Sequence, residues 1–315
     1  MSTLVVGSVA LDTVQTPFGR AQDALGGTAV YFSLAASLFA DVKLVGVVGR
    51  DFPEHGVRLL QDRGVDLAGL QEAPGETFRW VGEYGYDMNE AHTLDTRLNV
   101  FEHFRPTIPE EYRDARFVFL GNIDPELQLD VLEQVRRPEL SALDTMNFWI
   151  EGKRDALTEV VRRVDAVLIN EAEIREYTQK YNVLEAARDL QSLGPRYVIV
   201  KRGEYGAVLF NDQDVFLLPA FPTWDVRDTT GAGDSFAGGF LGYLDSRGSF
   251  RQADLRSAAV YGTVVASYAV EDFSVKGLLR AEQRGLQDRY SRLADSTRID
   301  APLRLQPRDL ITEGA

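Results

Sequence analysis

Residues 228–240 read Asp228-Thr229-Thr230-Gly231-Ala232-Gly233-Asp234-Ser235-Phe236-Ala237-Gly238-Gly239-Phe240. Three small residues, Gly231, Ala232 and Gly233, precede a run of helical length, so the first backbone N–H groups of that helix lack intrahelical acceptors and point outward. Such a terminus is a ready site for an anion, a phosphate in particular. Asp234 falls in the first turn, where the helix macrodipole favours its ionised form by about 0.3–1 kcal/mol. A carboxylate beside a bound phosphate is the placement wanted for a base acting on an attacking hydroxyl. By spacing alone the same stretch also describes a glycine-lined turn with an acidic residue that suits a helix start. Both readings stand at this level.

Outward from this stretch the chain alternates. Short apolar runs at 4–7, 42–48, 117–120, 140–143, 166–169 and 197–200 are separated by stretches of helical spacing at 28–39, 54–62, 126–135, 154–164 and 183–193. That alternation predicts an α/β fold, a mostly parallel sheet covered on both faces. Runs at 231–244 and 252–268 make the C-terminal third helix-rich. Residues 77–104 break the pattern: they are rich in aromatics, Thr and Val, with a turn signal at Tyr86-Asp87-Met88-Asn89. They read as antiparallel strands inserted in the α/β core, a small β lid or a plain extra hairpin. The tail after Arg280 reads as a terminal helix and a loose end.

The chain has 315 residues, enough for one large α/β domain with an appendage or for two domains. Its net charge of −14 makes a broad attraction to nucleic acid or to an anionic membrane surface unexpected. An anionic ligand must be met by a local site. With no cysteine, thiolate metal sites and Cys nucleophiles are excluded, and three histidines without an HExxH pair make a zinc site or a Ser-His-Asp triad a poor fit. The first residues lack a basic n-region and read as a strand. No uncharged apolar stretch approaches the roughly 18 residues that span a bilayer.

The full string at 228–240 resembles the C-terminal signature of the ribokinase (PfkB) family. The resemblance implies a three-layer ribokinase-like α/β/α fold, a single kinase domain over 1–315 with a lid at 77–104 joined by parts of 12–25, and ATP-dependent transfer of a phosphoryl group to a hydroxyl. On that resemblance Asp234 is the catalytic base, and Gly231, Ala232 and Gly233 form the anion hole. Asp228 and Thr230 match positions that in many relatives help hold a monovalent cation, K⁺. Gly7-Ser8-Val9-Ala10-Leu11-Asp12 looks like the family's first strand, whose closing Asp12 meets substrate hydroxyls. Gly26 and Gly27 before a helix, and 45–51 with Gly49 and Asp51, are similar to the first family signature: the glycine pair touches substrate, and Gly49 and Asp51 serve the fold. Asn170-Glu171-Ala172-Glu173 resembles the Asn-x-x-Glu motif, with Glu173 placing Mg²⁺ through water and Asn170 beside the nucleotide; the same residues also form a good helix cap. Lys201, Gly203 and Gly206 match the nucleotide-contacting turn, Thr263 falls on the nucleotide side, and 270–277, ending at Gly277, matches the loop by the adenine.

The chain departs from the sugar-binding pattern Gly-Gly-Lys-Gly-Ala-Asn, reading Gly26-Gly27-Thr28-Ala29-Val30-Tyr31. Tyr31 together with Phe78, Trp80, Tyr84, Tyr86 and Phe101 suggests an acceptor larger or flatter than free ribose, or else lid packing or a dimer contact. Asp144-Thr145-Met146-Asn147 and Gly121-Asn122 follow strands and are read as acceptor contacts, Asn122 and Asn147 above all. Gly152-Lys153 lacks the glycine and the Ser/Thr of a Walker A string, so a P-loop kinase is rejected. The expected protein is a cytoplasmic sugar or polyol kinase, a nucleoside kinase in the second place, using ATP and Mg²⁺, with a homodimer through the lid. A noncatalytic relative is the contrasting class.

Overall fold

A computed structural model describes residues 2–211 and 214–298. Its strands are β1 (Ser2–Val6), β2 (Ala10–Thr16), β3 (Gly19–Gly26), β4 (Asp41–Gly49), β5 (Val65–Ala73), β6 (Phe78–Tyr84), β7 (Ala91–Arg97), β8 (Phe117–Leu120), β9 (Leu140–Asp144), β10 (Ala166–Asn170), β11 (Tyr197–Lys201), β12 (Ala207–Phe210) and β13 (Val215–Leu218). The helices are α1 (Thr28–Ala36), α2 (Glu54–Asp62), α3 (Pro125–Gln134), α4 (Asn147–Gly152), α5 (Arg154–Arg163), α6 (Glu171–Thr178), α7 (Val183–Gln191), α8 (Ala232–Arg247), α9 (Gln252–Ala269), α10 (Lys276–Leu279) and α11 (Gln283–Ser296).

Nine strands form the central sheet in the order β13-β12-β11-β10-β9-β8-β1-β4-β5, parallel from β5 to β11 and antiparallel at β12 and β13. Alternation along each strand divides the interior in two. Val5, Phe117, Phe119 and Ile199 face one core with α1, α8 and α9, while Leu4, Val6, Val118, Val198 and Val200 face the other with α3, α5, α6 and α7. Apolar runs rather than polar-apolar alternation in these strands follow from burial on both faces. The glycines that continue the 228–240 stretch let α8 pack closely. A Cβ on Gly238 would lie 2.4 Å from the Phe32 carbonyl oxygen of α1, and one on Gly239 would lie 3.0 Å from Gly262 of α9.

A second sheet of four strands, β3-β2-β6-β7, stands apart from the first. Two sequence expectations change here. The first strand ends at Val6, and Asp12 lies on β2 of the small sheet, because the chain leaves the core between the two sheets at residues 7–9. The inserted β structure ends at Arg97: residues 99–104 return to the core, where Val100 is 9% and Phe104 2% exposed. The root is pinned at Thr77, which is fully buried; its N–H and Oγ1 donate to Asp51 Oδ1 at 2.7 and 2.8 Å, and its Oγ1 accepts from Gly49 N at 3.0 Å. Gly49 and Asp51 thus serve the fold. The short helix α4 was not expected from the pattern. The helix after Arg280 is α11, and the expected loose end lies outside the described residues. No helix among the described residues is long and apolar enough to cross a membrane.

Candidate active site

The C-terminal ends of three adjacent parallel strands deliver Asp144, Asn170 and Lys201, with Leu168 paired to Asp144 and Asn170 to Lys201 across the sheet. This is the edge at which open α/β sheets bind ligands. Asp144 is 5% exposed, and Lys201 Nζ donates to its Oδ2 at 2.7 Å. Burial works against the Lys201 charge, but Asp144 and Glu173 prevail and raise its pKa. Asn170 and Glu173 close a reciprocal cap on α6: Glu173 N donates to Asn170 Oδ1 at 2.8 Å and Asn170 N donates to Glu173 Oε2 at 2.9 Å. Burial pushes the Glu173 carboxyl up to about 7, helped by Asp144 and opposed by Lys201.

Above this edge lies the glycine turn. Gly231 caps α8 with a left-handed φ of 72°, and a Cβ there would lie 2.3 Å from the Tyr31 ring. Tyr31 is 2% exposed, so its ring is a buttress under the turn and not an open platform for an acceptor. The Ala232 N–H is engaged by the Thr229 carbonyl at 3.2 Å, which leaves the anion role to its neighbours in the first turn. A Cβ on Gly233 would lie 3.1 Å from Lys201 Nζ, so the ammonium sits directly against this turn. Asp234 is the third residue of α8. Burial pushes its carboxyl up to about 7, and Asp144 adds to the shift, while Lys201 and a hydrogen bond from the Thr28 hydroxyl oppose it.

Asp12 approaches from the small sheet. A Cβ at position 26 would lie 2.0 Å from Asp12 Oδ2, so glycine there leaves room for this carboxylate. Burial raises the Asp12 carboxyl to about 7; the Gly27 N–H, which donates to it, pulls the other way, and Asp228 and Asp234 add to the rise. Asp228 is 1% exposed and accepts from Thr230 N at 2.9 Å and from Ser274 N at 3.3 Å, which ties residues 228–230 to the loop before α10. Asp12, Tyr31, Asp228 and Asp234 are therefore neighbours.

The small sheet closes over this group. Thr230 Oγ1 donates to the Tyr84 hydroxyl at 3.3 Å, and Thr229 Oγ1 donates to the Met88 carbonyl at 2.6 Å. At the tip, Glu204 N donates to Asn89 Oδ1 at 3.3 Å, and a Cβ on Gly203 would overlap that same oxygen. The hairpin tip thus touches both the glycine turn and the turn after β11. Of the aromatics in the insertion, Phe78 stacks on Phe101 and Phe101 on Phe104 at the root, and Tyr86 is 90% exposed. Trp80 and Tyr84 remain on the inner face with Asp12.

The other expected residues are dispersed. Asn122 Oδ1 accepts from Trp149 Nε1 at 2.9 Å, and Asn147 is exposed at the start of α4. Gly206 and Gly277 are explained by close packing, since a Cβ would lie 2.0 Å from the Leu218 carbonyl oxygen and 1.9 Å from that of Tyr268, respectively. Thr263 is buried in α9. Sequence reasoning missed the contacts made by Thr28, Thr229, Met88 and Asn89, and read Asp144 as an acceptor contact without its pairing to Lys201. A buried carboxylate ending one strand, two strands from a strand-end lysine, was the available signal for Asp144.

Residues 9–280 match the sequence profile of the pfkB family carbohydrate kinase. The chain belongs to the pfkB family. It is a kinase, an ATP-dependent phosphotransferase that acts on a hydroxyl. The kinase is 35% identical over 253 residues to a cytidine kinase of Thermococcus kodakarensis, covering 78% of this chain and 90% of the relative. Its fold is similar to that of a putative ribokinase II from E. coli in complex with ATP and Mg²⁺, at 17% identity and a TM-score of 0.77 over 92% of this chain and 99% of that one. A nucleoside kinase of Burkholderia thailandensis in complex with ADP and inosine is also similar, at 17% identity and a TM-score of 0.78 over 96% and 99%.

Proposed function

We propose that this kinase transfers the γ-phosphoryl group of ATP to a hydroxyl of a nucleoside, with Asp234 as the base. The observation that carries the acceptor class is the indole of Trp80. Trp80 pairs with Asp12 across β2 and β6, which puts the two side chains on the same face of the small sheet. The indole lies over Gly82, where a Cβ would be 2.2 Å from the ring, and its Nε1 donates to Thr93 Oγ1 at 3.1 Å. It presents a half-buried flat surface beside the residue that would bind acceptor hydroxyls. A nucleobase has a π face for such a surface, an interaction of about 0.5–1.5 kcal/mol beyond area burial, and a free sugar or polyol has none. The names of the cytidine kinase relative and of the nucleoside kinase structure point the same way.

In this reading the ionised Asp234 takes the proton of the acceptor hydroxyl. The oxygen forms a bond to the γ-phosphorus, the bond to the bridging oxygen breaks, and ADP leaves with that electron pair. The Gly233 and Asp234 N–H groups in the first turn of α8 and the Lys201 ammonium face the charge that develops on the transferring group. Asp12 orients the acceptor. When bound, Mg²⁺ supplies charge neutralisation on the phosphates. The hard oxygen donor Glu173, with Asn170 beside it, suits a Mg²⁺-nucleotide, which these two residues would hold through water. Among the described residues no three His, Asp or Glu converge as a metal cage, so the ion would share its ligands with phosphates and solvent. Asp228 is a buried carboxylate that no described lysine or arginine pairs with, and with Thr230 it would hold K⁺. Self-association would use the small sheet, whose edge strand β7 exposes Leu94. An ATP-consuming reaction of this kind belongs in the cytoplasm, where we place it.

ADP release measured over sugars, polyols and nucleosides tests the acceptor. Nucleosides should turn over, and Trp80→Ala should raise nucleoside KM about tenfold, equivalent to ~1.4 kcal/mol, with ATP KM unchanged. Turnover of sugars or polyols without any nucleoside turnover overturns the nucleoside reading. A separate titration tests Glu173. Gln can replace Glu in the reciprocal cap, so Glu173→Gln should keep the melting temperature while raising the Mg²⁺ concentration for half activity. An unchanged magnesium titration would leave Glu173 as a helix cap.

A further inference from the structure

We infer that Asp144 is a positioning residue for phosphoryl transfer, aiming the Lys201 ammonium at the anion turn of residues 231–234. This rests on the reading of that turn as the phosphate site. Asp144 ends β9 and Lys201 ends β11, so the pair reaches across the end of β10. Both carboxylate oxygens are engaged: Oδ2 accepts from Lys201 Nζ at 2.7 Å and Oδ1 from Thr145 N at 2.9 Å. The backbone at Asp144 is held as well. Gln128 Nε2 donates to its carbonyl at 3.1 Å and to that of Gly121 at 2.9 Å, locking the ends of β8 and β9 together.

A lysine on a flexible four-carbon stem does not hold one direction unaided. Here its Nζ is drawn to a buried carboxylate in a fixed orientation, and the missing side chain of Gly233 leaves room for it under the turn. The side chains of Lys201 and Asp144 are 16% and 7% exposed, so solvent screens the pair little. A buried ion pair adds little net stability, and removing one partner leaves an uncompensated charge. Positional control of the ammonium is what this arrangement provides.

The test is a double-mutant cycle in the full-length enzyme, with kcat, ATP KM and acceptor KM measured for Asp144→Asn, Lys201→Met and the double variant. A group misplaced by about 1 Å costs on the order of 10²-fold, so Asp144→Asn should lower kcat/KM for ATP by about that factor and leave acceptor KM within about twofold. Because Asp144 acts through Lys201, the double variant should be no worse than Lys201→Met alone. Additive losses, or a rise in acceptor KM with ATP KM steady, overturn the proposal. The double variant removes both members of the pair together, so it keeps the cycle readable if Asp144→Asn folds poorly; double-variant activity well below Lys201→Met then counts against the proposal. If Lys201→Met itself leaves both kcat and ATP KM unchanged, the phosphate-site reading fails; loss in Lys201→Met with none in Asp144→Asn rejects the role of Asp144 alone.

Discussion

Asp234→Asn is expected to lower kcat by at least ~10²-fold while the melting temperature holds or rises. The amide keeps the size and the Thr28 contact but accepts no proton. The stability side follows from the carboxyl pKa, which burial raises in the folded protein from the ordinary 3.8 to about 7. A carboxyl whose pKa rises on folding contributes stability that is complete below about pH 4 and is lost as pH climbs to about 7. Asp12 and Glu173 carry shifts of the same sign to about 7, so the free enzyme should melt at lower temperature at pH 8 than at pH 5. The neutral amide removes one of these penalties. Activity runs the opposite way: only ionised Asp234 accepts the proton, so kcat/KM should rise with pH through about 7. Asp12 titrates in the same range, and the limb belongs to the two together. Near-normal turnover in Asp234→Asn would remove this residue from the chemistry.

Replacing residues 85–90 with a two-residue Asn-Gly turn should raise acceptor KM by about tenfold or more, and should raise ADP formation without acceptor relative to transfer. This change keeps the Tyr84 to Ala91 pairing and the four-stranded sheet, and removes the contacts of Met88 with Thr229 and of Asn89 with Glu204. Excision of all of 77–104 would be a poorer experiment, because Thr77, Val100 and Phe104 are buried in the core. Without the tip, water reaches the glycine turn and competes with the acceptor. Steady-state kinetics with and without acceptor, with nucleotide affinity by calorimetry as the control, read the effect. A variant that folds, keeps its acceptor KM and shows no added hydrolysis would make the tip an ornament of the fold.

Six strands of the central sheet, β1, β4, β8, β9, β10 and β11, the helix opened by Gly231-Ala232-Gly233 and the Asn170-Glu173 cap were legible in the sequence, because each depends on near neighbours in the chain; β5, β12 and β13 were not. Burial on both faces writes continuous apolar runs, and a cap needs only residues three apart. The turn at 86–89 was legible for the same reason. Other features depend on what lies across the fold. The position of Asp12 on β2 follows from where the chain crosses between sheets, and the pairing of Asp144 with Lys201 follows from the order of β9, β10 and β11. The flat face of Tyr31 was visible in the sequence, but its use against Gly231 was set by the packing of α1 on α8. Local propensity and spacing determined the elements and the chemistry-bearing motif. Strand order and helix packing alone decided which distant carboxylates share one lysine, because their proximity arises from contacts between residues tens to hundreds of positions apart.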